Sequence, residues 1–149
     1  MAENAKETYP QTTRILAIDD SGISRGQITT ALRKLGFQDI LVAASAIEAQ
    51  ALLQGPEIQT KPIHLIFCDI HMPEVTGLLF LRWLRAQKKF NLLPVIMLTA
   101  STATEEILEA ASHGISNYML KPFAAPVLID KLASSWLKHG KTYRQSLEK

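Results

Sequence analysis

Cysteine occurs only once in the 149 residues, at Cys68, so no internal disulfide can form and a reducing compartment is implied. No apolar run approaches the roughly 20 residues of a membrane span. The opening "MAENAKETYPQTTR" has no apolar core of the kind a signal peptide needs. With 16 Lys and Arg against 14 Asp and Glu, the chain has too little excess charge for a nucleic-acid footprint. No internal repeat or low-complexity tract is present. These absences leave a soluble, cytoplasmic protein as the expectation, with no membrane contact and no direct DNA binding. A hydrophobic content of 47% is enough for one globular domain with a real core.

What is present is a regular alternation. Short β-type runs recur at "RILAID" (14–19), "DILVAA" (39–44), "PIHLIFCD" (62–69), "LPVIMLT" (93–99) and "ISNYML" (115–120). Several are almost continuously apolar, the pattern of strands covered on both faces. Between them lie helical patterns. Ile28, Ala31, Leu32 and Leu35 share one face of a helix near 22–35 that Gly36 closes. Ser45 with Glu48 reads as a capping box opening a helix through Leu53, and Thr102 with Glu105 repeats it before Ile107, Leu108, Ala110 and Ala111. Leu78, Leu81 and Leu84 mark a third helix. Ile129, Leu132, Ala133 and Trp136 form the stripe of a fifth near 125–138. The polar ends, 1–12 and 139–149, read as tails of modest order around a domain at 13–138. Fivefold β-α alternation predicts a doubly wound α/β fold with a parallel sheet.

Ligands of such sheets bind at the carboxyl ends of the strands, so the residues that end each run matter most. Four of the five runs end in a chemically useful group: Asp19-Asp20, Asp69, Thr99 and Lys121. Carboxylates brought together at one edge repel unless they are protonated or bridged by a cation. Oxygen donors without a His/Cys cluster select Mg²⁺ or Mn²⁺ over zinc. Beside such an ion a carboxylate can attack phosphorus and form an aspartyl phosphate. Asp69, alone on a central strand, is the candidate nucleophile. Asp19 and Asp20 then hold the metal, Lys121 pairs with phosphoryl oxygens, and Thr99 donates a hydroxyl hydrogen bond to one of them. Pro73 ends the strand after Asp69 and frees the loop that presents it.

In order and spacing, "LAIDDSGISR", "IFCDIHMPEVTG", "VIMLTA" and "YMLKPF" resemble the receiver domain of bacterial two-component response regulators, the chemotaxis type included. The resemblance implies a flavodoxin-like (βα)5 fold with strand order 2-1-3-4-5. It implies that Asp69 accepts phosphate from a sensor histidine kinase or a histidine phosphotransfer protein. It further implies that Asp20 binds Mg²⁺ directly, Asp19 acts through water, and Asp69 and the His71 backbone carbonyl complete the set. Thr99 and Tyr118 correspond to the family's switch pair, Lys121 to its phosphate contact, and a cis bond is implied before Pro122. Output then passes to an unidentified downstream protein through the face of helix 4, strand 5 and helix 5. On the residues alone, Tyr118 reads equally as a half-buried edge residue.

A rival reading is a Mg²⁺-dependent phosphatase of the haloacid-dehalogenase class, which also uses an aspartate nucleophile. That class needs a second aspartate two residues on, where this chain has His71. A degenerate receiver that works without phosphate is opposed by the intact acidic pair, Asp69, Thr99 and Lys121. The expectation is therefore a phosphoacceptor signalling domain that catalyses only its own phosphorylation and dephosphorylation. His71 and Ser101, each two residues beyond a functional strand end, should flank the path of an attacking water and tune how long the phosphate survives.

Overall fold

Side chains alternate between two covered faces, which explains the unbroken apolar runs. In the computed structural model, which describes residues 7–100 and 104–148, the strands are β1 (Ile15–Ile18), β2 (Ile40–Ala43), β3 (Leu65–Asp69), β4 (Val95–Thr99) and β5 (Asn117–Leu120). They form one parallel sheet in the order β2-β1-β3-β4-β5. Leu16, Ile18, Ile66, Cys68, Val95 and Met97 enter one core cluster, and their neighbours Ile15, Ala17, Leu65, Phe67, Ile96 and Leu98 enter the other. Both faces of a central strand are therefore apolar up to its last residue.

The first cluster is closed by α2 (Ala46–Gln54), α3 (Gly77–Arg85) and α4 (Thr104–Ser112), through Leu53, Phe80, Leu84 and Ala110. The second is closed by α1 (Gly22–Lys34) and α5 (Ala125–Ser135), through Ile28, Leu32, Leu128 and Leu132. Each fully buried leucine stabilises by roughly 2 kcal/mol. Ser45 Oγ accepts from Glu48 N–H at 3.1 Å, and Glu48 Oε2 accepts from Ala44 N–H at 3.3 Å, so the expected cap on α2 is present. Gly36, at φ 102°, supplies the left-handed residue after α1. The capping box at Thr102 lies outside the described residues.

Three features differ from the sequence reading. A one-turn helix, Glu57–Thr60, follows α2 and buries Ile58. Ile129 is 44% exposed because Leu128, with Leu132, Ser135 and Trp136, takes the inward stripe of α5. On α4 the apolar stripe is only half covered: Ala110 is buried while Leu108 is 63% exposed.

The segments read as tails of modest order are folded where the structure describes them. Past α5 the chain runs through a π-helical turn, Trp136–Gly140, into α6 (Lys141–Leu147). Tyr9 is buried, packs edge-on against Trp136 at 5.1 Å, and shares a 3.0 Å hydrogen bond with Ser135 Oγ. A Cβ at position 140 would stand 2.7 Å from the Tyr9 ring, so that crossing requires glycine. Arg144 donates to the hydroxyls of Thr12 and Thr13, and Tyr143 is buried in the first cluster. At this same end His64 Nδ1 accepts from Arg14 N–H at 2.8 Å. Burial, with the Arg144 charge nearby, lowers the His64 pKa to about 4, which keeps the ring neutral for that bond. All of this lies at the amino ends of the strands, away from the edge where Asp69 stands. Among the described residues, no helix is long and apolar enough to cross a membrane.

Candidate functional site

Parallel register brings the strand ends together. Asp19 directly follows β1, Asp69 ends β3, Thr99 ends β4, and Lys121 directly follows β5. Asp69 is in register with Leu98, and Thr99 with Leu120. Asp19, Asp69 and Thr99 are all buried, whereas Asp20 faces solvent. One ligand atom from each of Asp19, Asp20 and Asp69 lies within 4.8 Å of the others.

Lys121 is the counter-ion inside this group. Its Nζ donates to Asp19 Oδ2 at 2.7 Å and to Ser24 Oγ at 3.3 Å, and lies 3.4 Å from Asp69 Oδ2. Burial alone would lower its pKa, but Asp19 and Asp69 outweigh burial and hold it above the ordinary lysine value. For Asp69 the balance is opposite. Burial, reinforced by the Asp19 charge, raises its pKa against the pull of Lys121 and of the His71 N–H, which donates to Oδ1 at 3.3 Å. Asp69 is thus a carboxylate short of positive charge. The other oxygen of Asp19, Oδ1, accepts from Ser21 N–H at 2.9 Å, so both its oxygens are engaged.

Three carboxylates, one of them solvent-facing, sharing a single ammonium are a donor set suited to a hard divalent cation. Among the described residues, the carboxylate group itself includes no sulfur or imidazole donor for a softer ion. Cys68 is fully buried, its Sγ–H donates to the Asp69 carbonyl at 3.4 Å, and burial raises its pKa so that it stays a thiol.

The loop after β3 is tightly built. Gly77 N–H donates to the Ile70 carbonyl at 2.8 Å, Glu74 takes a left-handed φ of 68°, and Thr76 caps α3 through Leu79 N–H at 3.2 Å. Gly77 sits against the Asp69 backbone so closely that a Cβ there would collide with the Asp69 carbonyl oxygen.

Tyr118 is half-buried against the first core cluster, with Lys131 Nζ 4.9 Å from its ring centroid. The Lys121–Pro122 bond is cis. His71 is exposed on the rim, with its Nε2 3.0 Å from Glu106 Oε2. Ser101 lies outside the described residues. The sequence reading did not single out Ser21, Ser24, Arg25 or Glu106. Ser21 was legible as the N-cap signature before α1, and Arg25, whose Nη1 donates to the Asp19 carbonyl at 2.6 Å, lies one turn further on. Nothing local marked Glu106, which meets His71 only through the fold.

Similarities to known proteins agree with this geometry. The response regulator receiver domain family matches residues 15–133. A chemotaxis protein CheY homolog of Campylobacter jejuni is 35% identical over 119 residues, 80% of this chain and 88% of its own. The chemotaxis protein CheY of Pseudomonas aeruginosa is 35% identical over 80% of this chain and 92% of its own. The crystal structure of the chemotaxis response regulator CheY4 of Vibrio cholerae superposes with a TM-score of 0.73 at 29% identity, covering 83% of this chain and 98% of that one.

Proposed function

The chain belongs to the response regulator receiver family, and on that premise we propose that Asp69 accepts a phosphoryl group from a phosphohistidine of a sensor kinase or phosphotransfer protein. The observation that carries this reading is the Lys121 ammonium held between Asp19 and Asp69 at the edge where Asp20 also stands. In the transfer a carboxylate oxygen of Asp69 forms a bond to phosphorus as the phosphorus–nitrogen bond of the donor breaks, and the departing imidazole takes up a proton from solvent. Lys121, already charged, moves its hydrogen bonds from the carboxylates toward the phosphoryl oxygens. Thr99, buried at the end of β4, donates its hydroxyl to one of them.

Asp20, Asp69 and the His71 carbonyl would hold Mg²⁺, with Asp19 acting through water because its oxygens are occupied by Ser21 and Lys121. When bound, the ion neutralises charge on the transferring phosphoryl group. Asp20→Ala is expected to weaken Mg²⁺ binding at least tenfold, about the 1.4 kcal/mol that tenfold represents, and more than Asp19→Ala does. Titrations of both variants check the order; identical affinities would remove Asp20 from the set.

Output is assigned to the face of α4, β5 and α5. Thr99 moving toward the phosphate vacates space beside β5 that Tyr118 can take, a bias between two packings rather than a new fold. The apolar surface is already there. Leu108, Leu120 and Val127 are exposed on this face, beside a groove of about 810 Å³ bordered by Asn117, Val127, Lys131 and Leu137. Amide exchange with and without Mg²⁺ and a beryllofluoride phosphate mimic tests the proposal. Altered protection in α4 and β5 is expected, and unchanged protection there would contradict the switch.

A further inference from the structure

Residues at the start of α1 reach the charged group at the strand ends. Ser24 and Arg25 stand three and four residues after the N-cap Ser21, the spacing that puts side chains on one face of a helix. Two of them hold Asp19: Ser21 N–H donates to its Oδ1 at 2.9 Å, and Arg25 Nη1–H donates to its carbonyl at 2.6 Å. Ser24 meets the lysine instead. Its Oγ accepts from Lys121 Nζ at 3.3 Å, while its own backbone N–H donates to Ser21 Oγ at 3.2 Å and fixes the turn that carries it. An ammonium has three N–H bonds arranged as a tripod. One goes to Asp19 Oδ2 at 2.7 Å and a second to Ser24 Oγ, both on the side of β1 and α1. The third is thereby turned to the side where Asp69 Oδ2 lies 3.4 Å away. With Asp19 as its one close partner the ammonium would spin about that bond, and the contact with Ser24 stops the rotation.

We propose that Ser24 is a positioning residue for phosphoryl transfer: by accepting one Lys121 N–H it aims another at the oxygens of the group arriving at Asp69. This rests on Asp69 being the phosphoacceptor. With acetyl phosphate as donor, an Asp69 carboxylate oxygen bonds to phosphorus as the bond from phosphorus to the acyl oxygen breaks and acetate leaves. A hydrogen-bond donor already directed at the transferring group needs no reorganisation as the reaction proceeds. As Lys121 releases the carboxylates for the phosphoryl oxygens, the contact with the uncharged Ser24 hydroxyl is the one that remains, and it keeps the ammonium from swinging away. Ser24 acts through Lys121 and not on the reacting atoms, so it is not a catalytic residue. Its place three residues beyond a serine N-cap gives it a second, purely local task in the helix start, which the test must separate from the first.

The parent, Ser24→Ala and Ser24→Thr are compared as full chains for the rate of phosphorylation by acetyl phosphate with Mg²⁺ and, without donor, for Mg²⁺ affinity. Alanine is a good helix former and keeps the backbone N–H that Ser21 caps, so the helix start survives the change. Loss of a hydrogen bond to a charged group predicts phosphorylation roughly fivefold slower in Ser24→Ala. Mg²⁺ affinity should stay at the parent value, since Ser24 is outside the carboxylate group that would hold the ion. Ser24→Thr keeps the hydroxyl and should restore the rate, which a helix-start role would not bring about. A labelled parent matched in rate by Ser24→Ala, or a Ser24→Thr as slow as Ser24→Ala, overturns the positioning role and leaves the phosphoacceptor standing. A slower Ser24→Ala whose Mg²⁺ affinity falls in proportion overturns it too. A parent that takes up no phosphate on Asp69 overturns both.

Discussion

Replacing Asp69 by Asn is expected to lower phosphoryl incorporation from a small acyl-phosphate donor more than a hundredfold, to background, while the protein stays folded. The amide keeps the shape of the side chain and removes the charge that makes it a nucleophile. Among the described residues, the other carboxylates at this edge are poorly placed to take over: Asp19 has both oxygens engaged, and Asp20 follows it at the solvent face. The variant should also be more stable than the parent without Mg²⁺. Burial and the neighbouring Asp19 hold the folded Asp69 pKa above its unfolded value. The folded state therefore binds more protons in the interval between the two values, and stability falls as pH rises through it. The parent carries that cost at neutral pH and the neutral Asn does not. Thermal melts at neutral pH and again below the carboxylate range check the sign: the advantage of Asp69→Asn should be present in the first and absent in the second. Equal labelling of parent and variant would contradict the assignment outright.

Gly77→Ala is the second large effect. The added methyl would lie 2.8 Å from Ile70 Cα and 2.9 Å from Met97 Cε, besides colliding with the Asp69 carbonyl oxygen. Two of these neighbours are backbone, and the residue is buried at the start of α3, so the strain cannot relax through a side chain. Overpacking of this kind costs about 3 kcal/mol. It should appear as a lower denaturant midpoint with an unchanged slope. Because the atom struck first belongs to Asp69, the variant should also phosphorylate more slowly than its remaining folded fraction accounts for. A midpoint within error of the parent would contradict the close packing of α3 on the Asp69 backbone.

The central sheet and its carboxyl edge were legible because two independent signals coincided there. Apolar runs such as Leu65–Cys68 set strands buried on both faces, and four of the five runs ended in a functional group. Asp69 and Lys121 were readable at their positions for that reason. The Ser45–Glu48 cap was readable because its chemistry is local. What the sequence did not disclose depends on contacts between distant, isolated residues. Tyr9 and Tyr143 are single aromatics in polar surroundings without periodicity, yet they are buried and tie both terminal segments to the domain. Glu106 looks like any first-turn acid of a helix and becomes part of the site only when β3 and β4 lie side by side. The choice between Leu128 and Ile129 as the inward residue of α5 turns on one helical step, about 100°, which a short apolar cluster cannot fix.

The most direct test of the account is to locate the phosphoryl group chemically. After incubation with Mg²⁺ and acetyl phosphate, borohydride reduces an aspartyl phosphate to homoserine, and peptide mass spectrometry finds the altered position. Homoserine is expected at position 69, dependent on Mg²⁺ and on the donor. Homoserine at another position, or none in a protein that has been shown to bind Mg²⁺, would contradict it.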